Sequence, residues 1–145
     1  MTLTTKSFAG PRAFARHMLR EGRIELRPLY DHIMTYGNAT LETVLFREGC
    51  WQVELIAALG NASAPMHRHL HCASADLLLN GSVSGAVNGR GFSPPRGRLE
   101  AQLKTIGRGE WHGGAAGPEG FVFLSFQQWD AEPMFISQDW EAWTS

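Results

Sequence analysis

From residue 40 onward, apolar and polar positions alternate with the period of two that an extended strand imposes, because successive side chains leave a strand on opposite faces. The stretch 40–47, Thr-Leu-Glu-Thr-Val-Leu-Phe-Arg, and the stretch 51–58, Trp-Gln-Val-Glu-Leu-Ile-Ala-Ala, flank Glu48-Gly49-Cys50 and read as a hairpin with Trp51, Val53 and Leu55 on one face. A turn-rich connection at 60–65 leads into a histidine-bearing strand. Leu77, Leu78 and Leu79 then meet Asn80-Gly81, a pair suited to the positive φ values of a type I′ turn, so residues 82–87 are expected to return as the partner strand. Residues 88–98, with three glycines and two prolines, read as a loop, and Leu99 to Ile106 as a further strand. The glycine-rich run 113–120 reads as another connection. It precedes the strongest strand signal in the chain, residues 121–129, where Phe121, Phe123, Ser125 and Gln127 share one face and Val122, Leu124, Phe126 and Gln128 the other. Residues 135–143 fit a short strand or a helix equally well.

Ahead of the strands, residues 1–36 form an extension. Pro11 to Glu21, between Gly10 and Gly22, reads as a short helix, with proline allowed in the first turn and glycine available for a left-handed end. Phe14, Met18 and Leu19 would make an apolar face that docks on a sheet, leaving His17 toward solvent. Residues 37–145 are then a single domain.

Composition narrows the class. A chain of 145 residues, 43% hydrophobic and 19% charged, can bury one core, and sixteen glycines with seven prolines favour a mostly β, all-β domain with many turns. Net charge is −1 with both signs interspersed, so no nucleic-acid or anionic-membrane partner is expected. No apolar run approaches the roughly 18 residues of a transmembrane helix, and residues 1–8 carry no signal-peptide pattern, which points to a cytoplasmic protein. Cys50 and Cys72 are not in a Cys-x-x-Cys arrangement and read as free thiols.

Candidate chemistry concentrates in the histidines. Three of the six, His67, His69 and His71, stand at alternate positions and would point one way from a strand, and His112 follows in Gly-Arg-Gly-Glu-Trp-His-Gly. Two imidazoles so spaced can take neighbouring positions on one metal ion, with His112 as the third donor. An all-nitrogen triad suits Fe, Cu, Ni or Zn rather than Mg or Ca. Glu110, two residues before His112, would share that ligand's face as a fourth ligand, a hydrogen-bond acceptor or a catalytic base; the alternative is a solvated glutamate at a turn. Phe121, Phe123, Phe126, Met66 and Trp51 are candidates for an apolar pocket wall or for plain core.

Two motifs in this pattern resemble those of cupins. Gly60, His67-x-His69 and Gly81 match the first, with one extra spacer residue and with Ser74 where the family carries a glutamate. Gly109-x-x-His112 matches the second, with Gly107 and Ala116 in place of its proline and asparagine. The resemblance implies an all-β, double-stranded β-helix fold (a cupin jelly-roll barrel), and its spacing implies His67, His69 and His112 as metal ligands. His71 lies where the chain leaves the site, and Asp76 could stand in for the missing carboxylate. A three-histidine set without glutamate resembles the acetylacetone-cleaving, β-diketone dioxygenase group. That resemblance implies an Fe(II) cofactor, with Zn or Ni possible in purified protein, and a small-molecule substrate cleaved at a carbon-carbon bond with O2. The glutamate expected near the last histidine in that group is absent, with Ile106 in its neighbourhood and Glu100 and Glu110 on either side. A metal-binding sensor or regulatory cupin without turnover and a Zn or Ni isomerase or hydrolase are the other readings. Open sheet edges and an aromatic tail carrying Trp140 and Trp143 suggest a homodimer or higher homo-oligomer.

Overall fold

The structure, a computed structural model, describes residues 7–36, 43–92, 103–133 and 139–143. Pro11 opens helix α1 (Pro11–Arg20), where its missing N–H costs no hydrogen bond, and Gly22 takes the left-handed φ of 65° just past its end. Phe14, Ala15 and Met18 form its buried stripe, while His17 lies half-buried with Phe8 5.1 Å away, centroid to centroid. A second helix, α2 (Leu26–Tyr36), was not anticipated from the sequence. Leu26, Leu29 and Ile33, three and four residues apart, carry it onto the same core, and Pro28 sits in its first turn, where proline is tolerated.

Eight strands follow: β1 (Thr43–Glu48), β2 (Trp51–Ala58), β3 (Ser63–Arg68), β4 (Cys72–Val87), β5 (Arg90–Phe92), β6 (Lys104–Ile106), β7 (His112–Trp129) and β8 (Glu141–Ala142). The expected β1–β2 hairpin is present, closed by Glu48 opposite Trp51. Strands β4 and β7 lie antiparallel along their whole length, from Cys72 opposite Trp129 to Val87 opposite His112. The second half of β7 also pairs with β2 and its first half with β3, while β4 pairs with β6 near one end and β5 near the other. The result is two layers, β1-β2-β7-β4-β6 and β8-β3-β7-β4-β5, that share two long strands: a double-stranded β-helix.

This topology corrects two sequence expectations. Asn80-Gly81 is not a hairpin turn, because β4 runs straight through it. There the register with β7 slips twice, between Leu78 and Asn80 and between Gly81 and Val83, and the ladder bends from one layer into the other. A Cβ on Gly81 would collide with the Gly120 carbonyl, so glycine is required for close backbone approach rather than for chain reversal. The reversal comes at Asn88-Gly89, both with positive φ (47° and 79°), which joins β4 to β5. Likewise residues 113–120, expected to be a connection, are part of β7. A Cβ on Gly85 would strike the Gly113 carbonyl, a second place where the two strands touch backbone to backbone. Of the expected loop and strand spanning 88–106, residues 93–102 lie outside the described residues, as do residues 134–138 of the ambiguous tail.

The two faces of the ladder differ in what they bury. Trp51, Val53, Leu55, Ala75, Leu77, Leu79, Val122, Leu124 and Phe126 pack with Phe14, Met18 and Ile33 of the helices as one core. Phe14 sits 5.0 Å from Trp51 and 6.1 Å from Phe126, edge-on to the latter. Trp51 and Phe126 therefore belong to the core and do not line the cavity beside the histidines. The alternate residues Phe121, Phe123, Ser125 and Gln127 turn inward and line a cavity. Truncating Phe14 to alanine should lower the free energy of unfolding by about 3–5 kcal/mol, whereas Arg16→Ala on the exposed side of α1 should change it by less than about 0.5 kcal/mol, as read by urea denaturation.

Candidate metal centre

The cluster is assembled where β3 ends beside the start of β7. His67, one residue from the end of β3, is the direct cross-strand partner of His112, the first residue of β7. His69 follows just past the strand on the same side. Ring centroids lie 4.3 Å apart for His67 and His112, 5.1 Å for His67 and His69, and 5.2 Å for His69 and His112. One ring nitrogen from each lies within 4.8 Å of those of the other two. Arg68, between the ligand positions, alternates outward, ion-paired with Glu141 at 3.0 Å and stacked 4.6 Å over the Trp111 ring. The strand ends before His71, which is exposed. Its ring Nδ1 is 3.2 Å from an Asp130 carboxylate oxygen, and its backbone N–H donates to Asp139 Oδ1.

Hydrogen bonds settle which nitrogen of each ring is free. The Nδ1 of His67 is 2.8 Å from the carbonyl oxygen of Pro65, that of His112 is 2.9 Å from the carbonyl of Glu110, and that of His69 is 3.1 Å from the carbonyl of Asp139. A carbonyl oxygen can only accept, so each Nδ1 donates, and in the neutral ring Nε2 is then the nitrogen that keeps its lone pair. Burial also favours the neutral form. It pushes His112 down to about 4, with the neighbouring His67 and His69 adding and the Glu110 carbonyl opposing. Burial and then His67 lower His69, against the Asp139 carboxylate and carbonyl. Three imidazoles with Nδ1 held in the same way by backbone carbonyls fit a divalent transition-metal ion, which each neutral ring would bind through Nε2.

The rings open into a cavity of about 590 Å³ within the β-helix. Ile56, Leu78, Ile106, Phe121 and Phe123 supply apolar wall, and Trp140 stacks on His67 at 5.2 Å and 23°. Polar side chains occupy another wall. Gln127 accepts from Gln52 and Trp129 through Oε1 and donates through Nε2 to Glu54 and Ser125. Cys72 also lines the cavity, its thiol pushed up by burial and by the nearby Asp139 and Asp76 carboxylates.

The structure brings His67, His69 and His112 together and leaves other candidates apart. Glu110 is absent from the cavity wall: its Oε1 accepts the Gly107 N–H and its Oε2 the Asn88 side-chain amide, while its backbone carbonyl orients His112. Among the described residues no carboxylate joins the three-histidine group. Ser74 and Asp76 do line the cavity, from β4. Asp139 is a neighbour that sequence reading missed, since nothing local in the chain ties it to a histidine 70 positions away.

A double-stranded β-helix with a three-histidine cluster beside its internal cavity has the fold of the cupins. No family model matches the sequence, and no curated protein matches it. Among solved structures, the chain is similar to the cupin domain of Schizosaccharomyces pombe Cnp3 (18% identity, 61% of this chain and 64% of that one, TM-score 0.54). It is also similar to KdgF from Halomonas sp. (11% identity, 65% and 82%, TM-score 0.56). A third is a variant of salicylate 1,2-dioxygenase from Pseudoaminobacter salicylatoxidans (18% identity, 66% and 27%, TM-score 0.51). The aligned part thus spans under two thirds of the Cnp3 domain and about a quarter of the dioxygenase. The likeness is one of fold.

Cobalt(II) titration of metal-free protein should show one ion bound per chain by visible absorption. Replacing His67, His69 or His112 with alanine should weaken binding by about 100-fold or more, and His71→Ala should leave it within about twofold.

Proposed function

We propose that this protein is a metal-dependent dioxygenase that cleaves a carbon-carbon bond in a small β-dicarbonyl or related ketone. The observation that carries the reading is the convergence of three imidazoles, each with its Nδ1 held by a backbone carbonyl, on a cavity of about 590 Å³. When bound, a redox-active ion such as Fe(II) supplies electrons to O2 and polarises substrate oxygens. Neutral ligands cancel none of a divalent ion's charge, so the site favours an anionic, bidentate oxygen ligand such as an enolate. The cavity falls within the roughly 300–1,000 Å³ of small-molecule sites. Phe121, Phe123, Ile56 and Leu78 give an apolar bed for a substrate's carbon groups, and Trp140, stacked on His67, adds apolar surface beside the cluster. In this reading Glu110 works as a positioning residue, clamping the turn whose carbonyl holds His112.

Support from the comparisons is confined to a fold shared with a salicylate dioxygenase. The test is anaerobic loading with Fe(II), followed by O2-electrode traces over a panel of β-dicarbonyls and hydroxyketones. Uptake of one O2 per substrate, with label from ¹⁸O2 in a carboxylate product, is expected. Loaded protein that leaves O2 and every substrate unchanged would instead indicate a metal-binding cupin without turnover, and conversion without O2 by the zinc form would indicate an isomerase or hydrolase.

A further inference from the structure

Facing the same cavity as the histidines is a carboxyl group that the cluster does not use. Asp76 lies on β4, opposite Ser125 of β7 on one side and Lys104 of β6 on the other. The residue keeps some surface on the cavity, yet its Oδ1 is fully buried and has no hydrogen-bond partner. The hydroxyls of Ser125 and Ser74 bond to its carboxylate. Ser125 Oγ in turn accepts from Gln127 Nε2, so its own proton is free for Asp76. By contrast Glu54, the other carboxylate lining the cavity among the described residues, is met by the Gln127 amide. A buried carboxylate oxygen without a partner is costly in a fold and is commonly retained for a ligand or for chemistry.

We propose that Asp76 is the proton acceptor for this cavity's substrate, the cavity-lining carboxylate taking the acidic C–H proton of a bound 1,3-dicarbonyl while its buried Oδ1 stays without a partner. The proposal rests on the reading of the site as one for enolisable carbonyls. In the step, the C–H bond breaks and its electron pair delocalises into the enolate, while an O–H bond forms on Asp76. Burial, opposed by the Ser125 and Ser74 hydroxyls, raises the Asp76 carboxyl to about 7, which matches a base that must both take and return a proton near neutrality. Among the described residues, the other ionisable groups around the cavity are Glu54 of β2, Cys72 of β4, Lys104 of β6 and the three histidines.

The experiment measures deuterium exchange at the acidic carbon of a 2-alkyl-1,3-diketone in D2O by NMR, using metal-loaded protein without O2. Wild-type protein should speed exchange, with a rate that rises with pH through about 7, and Asp76→Asn should reduce it by about 100-fold or more while still binding one metal ion. Folding is checked by thermal melting of the metal-free proteins. A carboxyl raised from 3.8 to about 7 in the folded state contributes stability at low pH that is lost as pH rises through that range, so Asp76→Asn should melt higher than wild type above pH 7. No exchange by wild-type protein, or equal exchange by the folded asparagine variant, overturns the proposal. Exchange that depends on Asp76 without O2 uptake overturns the oxygenase reading alone.

Discussion

Everything in this molecule depends on the antiparallel pairing of β4 with β7. The ladder runs from Cys72 opposite Trp129 to Val87 opposite His112, so a single pair of strands contributes to both layers. The two strands bend together near Gly81 and Gly120, where the ladder skips residues 117–120 of β7 before pairing resumes at Val83 opposite Ala116, and the layers close on each other. A side chain at Gly81 would separate the backbones at the point where they must approach most closely. The bend also decides what the far end of β7 can reach, for it brings His112 beside β3 and hence beside His67.

Once the ladder closes, the alternation of side chains produces two unlike interiors. One face, with Val122, Leu124 and Phe126, is sealed by α1 and α2 and supplies most of the dispersion and hydrophobic stabilisation. The other face encloses a cavity whose wall carries Glu54, Ser125 and Gln127. Stability and chemistry are thereby assigned to opposite sides of the same strands. A barrel this small can hold an open, partly polar interior because its apolar core lies outside the cavity, under the helices.

Backbone carbonyls do the fine positioning at the histidines. For His67 and His112 the acceptor is the carbonyl two residues earlier, the same local device at the end of one strand and the start of another. His69 instead depends on Asp139, brought in by the segment that pairs through β8 with β3. Donation from Nδ1 to a carbonyl fixes each ring's orientation and leaves Nε2 as the nitrogen available to a metal ion.

Much of this was legible in the chain. Period-two alternation marked β1, β2 and the second half of β7, and the spacing of His67, His69 and His112 singled out the cluster, because strand geometry and ligand spacing are properties of short segments. The helix at Pro11 was equally local. What the linear order concealed were contacts between segments far apart. Glycine has the same local signature whether it reverses a chain or lets two backbones touch, so Asn80-Gly81 read as a turn and the run 113–120 as a connection. Only the pairing of β4 with β7 places Asn80-Gly81 and residues 113–116 in one ladder. The capture of the Glu110 carboxylate by Asn88, the Asp139 carbonyl on His69 and the buried, unpartnered oxygen of Asp76 likewise belong to the tertiary structure, since each depends on which distant segments chain closure brings together.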